Sequence, residues 1–132
     1  SLIPSGQTPG FYIEGVLQSF QVLKRDAKTG LALVRLEADK LSVPDFRDLE
    51  DLKLGERVFM VSYRDGLTKS VNEGIIKFIG KTRIETNIIE TDSVQGSPLF
   101  DIQGRLVGIA VYSQENQIEA IPVSGVKNLI GF

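Results

Sequence analysis

The stretch from Thr91 to Tyr112, TDSVQGSPLFDIQGRLVGIAVY, constrains this chain most. It reads as a turn-rich loop, Asp92 to Ser97, that runs into a β-hairpin with its turn at Asp101-Ile-Gln-Gly104. Glycine at the end of that turn supplies a backbone conformation that other residues resist. The strand that follows, Arg105 to Tyr112, carries Leu106, Val107, Ile109, Ala110 and Val111. That run is too continuous for a strand with one wet face, so burial on both sides is expected.

The same punctuation recurs along the chain. Ser1 to Gly10 is rich in Pro, Gly and Ser and reads as an irregular lead-in. A short strand is expected over 11–15 and a longer one over 17–25, with Phe20 and Val22 inward and Leu23 a further candidate. Asp26-Ala-Lys-Thr-Gly30 has the composition of a hairpin loop, and Leu31 to Leu36 reads as its return strand, apolar enough to be central. Pro44 keeps 41–44 extended, and 47–53 is expected to form one helical turn with Leu49 and Leu52 on one side. Leu54 to Tyr63 reads as a turn followed by a strand, then comes a loop over 64–70 marked by Asp65-Gly66. Strands over 71–79 and 83–90 are separated by Gly80-Lys-Thr82; Glu115-Asn116 marks a tight turn before a strand over 117–122. Ser124 reads as the N-cap of a short helix from Gly125 to Leu129 or Ile130. Roughly nine short strands with turns between them define an all-β sandwich or barrel.

Composition narrows the chemistry. A chain of 132 residues with 42% hydrophobic and 24% charged residues is an ordinary globular domain. No run approaches the roughly 18 apolar residues of a membrane-spanning helix, so no membrane insertion is expected. The formal charge of −2 argues against a nucleic-acid partner. With no cysteine there is no disulfide or thiolate site, and with no histidine the commonest general base and metal ligand is missing. The acidic residues lack calcium-loop spacing, so no metal site and no cofactor are expected.

The Thr-Asp pair, the Gly/Ser-rich loop, Pro98-Leu99-Phe100, the Gly104 turn and Leu106-Val107-Gly108-Ile109 together resemble the second barrel of trypsin-like serine proteases of the bacterial Deg/Htr type. Leu54-Gly55-Glu56-Arg57-Val58 is similar to the segment that opens that barrel. Gly74-Ile75-Ile76 and Gln117 to Pro122 match two of its strands. The likeness runs from about Leu17 to Ile130. It implies an all-β, trypsin-like double β-barrel with the second barrel complete, the first partial, and a short C-terminal helix. Residues 1–53 would be the partial first barrel and linker, and 54–132 the second barrel with its helix. The family's first strands and its histidine-bearing segment would lie ahead of residue 1. The fold is then either truncated or part of a longer chain. Family members usually work outside the cytoplasm, so an extracytoplasmic location (periplasm or cell envelope) is implied by the resemblance.

At the chemistry the pattern departs. In the family, the serine of Gly-Asn-Ser-Gly-Gly-Pro-Leu is the nucleophile. Counting back from Pro98 puts Gln95 at that position; a deletion would put Ser97 there instead, without the two following glycines. Leu31-Ala-Leu-Val34 matches the strand after the family's triad aspartate, and Gly30 stands where that aspartate belongs. A Ser-His-Asp mechanism needs a base held by a carboxylate. A Ser-Lys dyad would have to draw on Lys81 or Lys127. Glu90 and Asp92 share a strand face, but Asp92 is better read as stabilising its own loop. The expectation is a degenerate domain, a pseudoprotease, with no catalytic residues in this chain. Its partner would be a protein or peptide. By the resemblance, a peptide pairs as an added strand with Ala110, Val111, Tyr112 and Ser113, beside Gly96, Ser97 and Glu119. The pocket there is either open or filled by Tyr112. Two rivals are a fragment of an active endopeptidase and a structural domain that self-associates.

Overall fold

A computed structural model describes residues 10–13, 16–36, 42–64, 68–91, 94–112 and 114–131, with backbone only at 10–13, 16–19, 64, 112 and 114. The chain divides into two compact units, Ser1–Val43 with Lys127–Phe132, and Pro44–Val126. Nine strands lie among the described residues, and the all-β, trypsin-like expectation holds.

In the first unit, β1 (Gly10–Ile13), β2 (Val16–Arg25) and β3 (Ala32–Leu36) form an antiparallel sheet in the order β1-β2-β3. The central strand is therefore β2, not the return strand that its apolar composition had favoured. The register slips between Val22 and Lys24, which leaves Leu23 unpaired and 45% exposed rather than inward. A bulge of this kind resets the alternation that a sequence reading depends on. At the β2–β3 turn, the Asp26 carboxylate accepts the Lys28 N–H at 3.0 Å and the Thr29 hydroxyl at 2.9 Å. Those two bonds, the Thr29 hydroxyl foremost, hold the Asp26 carboxyl below its ordinary pKa. The Gly30 N–H closes the turn on the Asp26 carbonyl at 2.9 Å, with φ 76°.

The second unit is a closed antiparallel barrel. Its strands are β4 (Arg57–Arg64), β5 (Thr68–Ile79), β6 (Ile84–Ile89), β7 (Pro98–Asp101), β8 (Leu106–Tyr112) and β9 (Gln117–Pro122), in the order β4-β5-β6-β9-β8-β7. Arg64 and Thr68–Ser70 are strand rather than loop; Asp65 and Gly66 lie outside the described residues. Alternation fills the interior: Ile84, Thr86 and Ile88 of β6 are all buried. Met60, Ile76, Leu99, Ile118 and Ala120 join them in one cluster. Each fully buried aliphatic side chain contributes about 1.5–3 kcal/mol. Thr86 is tolerated inside because its hydroxyl donates to the Ile118 carbonyl at 2.7 Å and accepts the Ile88 N–H at 3.2 Å.

In the long apolar strand β8, Leu106, Val107 and Ala110 are buried as expected, whereas Ile109 and Val111 are only half-buried. It approaches β9 so closely at Gly108 that a Cβ there would stand 2.4 Å from the Ile121 carbonyl oxygen. Opposite Gly108 is Pro122, which has no N–H to give. The β7–β8 turn is the expected one, with Gly104 at φ 80°.

Residues 45–47 strap the start of β8. Leu106 donates its N–H to the Asp45 carbonyl at 2.7 Å and accepts that of Arg47 at 2.9 Å. The one expected helical turn is a 3-10 helix, Leu49–Asp51; Leu52 is buried and Leu49 packs on the core. The α-helix found among the described residues, α1 (Val123–Ile130), starts two residues earlier than expected, directly after Pro122. Ser124 thus lies in its first turn and is not its N-cap.

Candidate functional site: the loop before β7

Val94, Gln95, Gly96 and Ser97 form a β-turn that leads into β7. The Ser97 N–H donates to the Val94 carbonyl at 3.0 Å, and Gly96 at the third position has φ 91°. A turn of this hand demands glycine there. The turn is then fastened to β8: Gly96 N–H to the Ala110 carbonyl at 2.8 Å, and Ala110 N–H to the Ser97 carbonyl at 2.7 Å. Val94 is buried beneath the turn and Gln95 is exposed at its crest. Asp92, Ser93 and Ser113 lie outside the described residues, as does the Tyr112 side chain.

These bonds decide what the main chain here can offer. The N–H groups of both Gly96 and Ser97 are spent within the protein. Ala110 turns both of its main-chain groups toward the loop. Antiparallel alternation therefore turns those of Val111 toward Glu119 on β9, and those of Tyr112 away from β9. So the sequence candidates divide. Gly96, Ser97 and Ala110 are joined by hydrogen bonds, Val111 and Glu119 by register, and Tyr112 follows Val111 at the strand end. Glu119 pairs on its other side with Glu85, a like-charged neighbour, and the Arg83 guanidinium stands 3.8 Å from its carboxylate. Gly30 belongs to the other unit. Lys81 sits in the β5–β6 turn, at the opposite end of the barrel from Ser97. Lys127 lies in α1.

Two clusters escaped sequence reading. Around the loop's origin, the buried Glu90 accepts the Thr91 N–H at 3.1 Å and the Asn72 amide at 3.3 Å. Its own N–H donates to the Asn116 carbonyl at 3.0 Å. At the other end of the barrel, Asp101 is 1% exposed. Its carboxylate accepts the N–H groups of Gln103 and Arg105, both at 2.9 Å, the Arg105 guanidinium at 2.8 Å and that of Arg47 at 3.0 Å. Burial alone would push the Asp101 carboxyl up. The Arg105 N–H, the two guanidiniums and the Gln103 N–H outweigh it and hold the group below the usual carboxylate range. Arg47 also grips Glu56 through both of its terminal nitrogens, at 2.8 and 3.1 Å. The Asp-Gly turn signal was visible in sequence, but the arginine that completes it, 54 residues away, was not.

A closed six-stranded antiparallel barrel, entered at β7 through a glycine turn fastened to β8, is the second barrel of a trypsin-like domain. The chain belongs to the trypsin-like peptidase domain family, whose profile matches residues 7–109. It is similar to "Probable periplasmic serine endoprotease DegP-like" of Halomonas elongata, at 33% identity over 97 residues, 67% of this chain and 20% of that protein. The protein of the same name in Pseudomonas putida strain GB-1 is 33% identical over 92 residues, 64% of this chain and 19% of its own length. "Serine protease Do-like HtrA" of Bacillus subtilis is 28% identical over 135 residues, 86% of this chain and 30% of that protein. The chain thus spans about a fifth of the length of the first two relatives. Among the described residues, no helix is long and apolar enough to cross a membrane.

Proposed function

We propose that this trypsin-like domain binds an extended segment of a peptide or protein and does not hydrolyse it. The observation that carries the reading is the hydrogen-bonding of Ser97. An oxyanion hole of this family uses the N–H of the nucleophile itself. On the alignment that makes Ser97 that residue, its N–H is already bonded to the Val94 carbonyl; on the other the position holds Gln95, whose side chain has no nucleophile. The sequence supports the same reading, with no histidine in 132 residues, Gly30 at the aspartate position and Gln95 at the serine position. Recognition needs none of these. The Tyr112 main chain, turned away from β9, supplies a donor and an acceptor for an added strand. In this reading β1–β3 is the remnant of a first barrel. The domain works outside the cytoplasm, as the names of its DegP-like relatives imply for them.

The test is an array of unfolded-protein peptides, followed by amide shift mapping of a hit. Binding that perturbs Gly96 to Tyr112 is expected. No binding, or shifts confined to other strands, would remove the reading. The rival with a specific observation behind it is a piece of an active endopeptidase, favoured by the small share of its relatives that the chain spans. It predicts turnover of an unfolded substrate once a histidine-bearing segment is supplied.

A further inference from the structure

Glu90 is a nearly buried carboxylate at the point where β6 gives way to the loop. We propose that it is a positioning residue for the mouth of the barrel: its carboxylate fixes the start of the loop before β7 on β5, and its main-chain N–H holds the β8–β9 turn beside them. This rests on the peptide-recognition reading, because the loop and that turn flank the main chain of Tyr112.

The Glu90 carboxylate accepts the Asn72 side chain of β5 and the N–H of the next residue, Thr91, where the loop begins. Its main-chain N–H reaches the carbonyl of Asn116. Asn116 and Glu115 both have positive φ, 60° and 67°, the stiff pairing of a tight hairpin turn. Asn72 is itself held, since its amide also donates to the Ile89 carbonyl at 2.9 Å. The β6–β9 register shifts between Glu85 and Ile89 and resumes with Ile89 opposite Gln117, next to Glu90. Glu90 therefore joins strand and loop through its side chain, and turn through its main chain, just beyond the bulged stretch of β6.

The chemistry of the tie calls for a carboxylate. Each carboxylate oxygen accepts a donor, Oε1 the Thr91 N–H and Oε2 the Asn72 amide, and bonds to an ionised acceptor are the stronger kind. A glutamine of the same size offers one acceptor and one donor. Its amide nitrogen would face either the Thr91 N–H or the Asn72 amide, and Asn72 cannot turn over without giving up Ile89. Glu90→Gln therefore cuts one tie while filling the same space.

The experiment is hydrogen exchange on wild type, Glu90→Gln, Asn72→Ala and the double variant, with Kd for an array-selected peptide measured on each. Each single variant is expected to raise exchange of the Thr91 and Gly96 amides about tenfold. Exchange of the Ile84, Ile88 and Ala120 amides stays unchanged, and peptide Kd weakens in step with the loop. The double variant should be no worse than either single one, because both act on one tie. Loop exchange at wild-type rates in Glu90→Gln would overturn the proposal, as would a uniform rise across the core or full additivity. If Glu90→Gln does not fold, Asn72→Ala reads the same tie from its half-buried side. If the loop loosens as expected but wild type binds no peptide, the positioning role stands and the recognition reading falls.

Discussion

The two ends of the barrel are built on different principles. At one end Arg47, Glu56, Asp101 and Arg105 form a network, with main-chain donors on one carboxylate oxygen of Asp101 and both guanidiniums on the other. It ties the strap before β4 to the β7–β8 hairpin. At the other end, among the described residues, the ties are largely to main-chain groups: a glycine turn, two bonds to Ala110 and the Glu90 junction. The difference teaches where stability and recognition are expected to part company. Damage at the ionic end should unfold the domain, and damage at the loop end should change what it holds.

The largest effect is expected from Arg47→Ala, which leaves Asp101 buried with one partner gone. Breaking a buried pair costs about 3–5 kcal/mol, readable by urea denaturation; a cost below about 1 kcal/mol would erase the contrast between the ends. The network also fixes the sign of the acid response. A folded-state carboxyl held below its unfolded value stabilises the protein above the unfolded pKa, near 3.9. That stability is lost as pH falls through the lower, folded-state value. Asp101→Asn should therefore lower Tm at neutral pH and flatten the fall of Tm below about pH 4. A parallel acid limb in wild type and variant would contradict this.

Next is Gly108→Ala. The added methyl must displace the Ile121 carbonyl or separate β8 from β9, at about 1–3 kcal/mol. Thermal melts should show a loss of stability without selective loss of peptide binding. Gly96→Ala forces a side chain onto φ 91° and should cost about 1–2 kcal/mol. Unlike Gly108→Ala, its effect should appear first as exchange at Ser97 and weakened peptide binding. The smallest effect is expected on the outer face, where Arg57 and Glu73 pair at 2.9 Å with both side chains 66% exposed. Arg57→Ala should move stability by less than about 1 kcal/mol, and a larger shift would mean that exposed pairs matter here.

Most of the fold was legible because it is written locally. Alternation over Ile84-Thr86-Ile88, the apolar run of β8 and glycine at 30 and 104 each act within a few residues. What sequence could not show depends on distant partners or on one-residue slips. Leu23 comes outward because a bulge shifts the register, and β2 is central because β1 pairs with it. Arg47 finds Asp101, and Asn72 finds Glu90, only after the barrel has closed. At the candidate site, the missing histidine and the substituted positions 30 and 95 were plain. That the N–H groups of Gly96 and Ser97 would be consumed by Ala110 and Val94 was not, since a turn's direction is set by the strand beside it.

The most direct test of the account is turnover of a fluorescent unfolded protein by the purified chain and its Ser97→Ala variant. The account predicts background rates for both, with peptide binding intact. Turnover by wild type that Ser97→Ala abolishes would make Ser97 a nucleophile and contradict it.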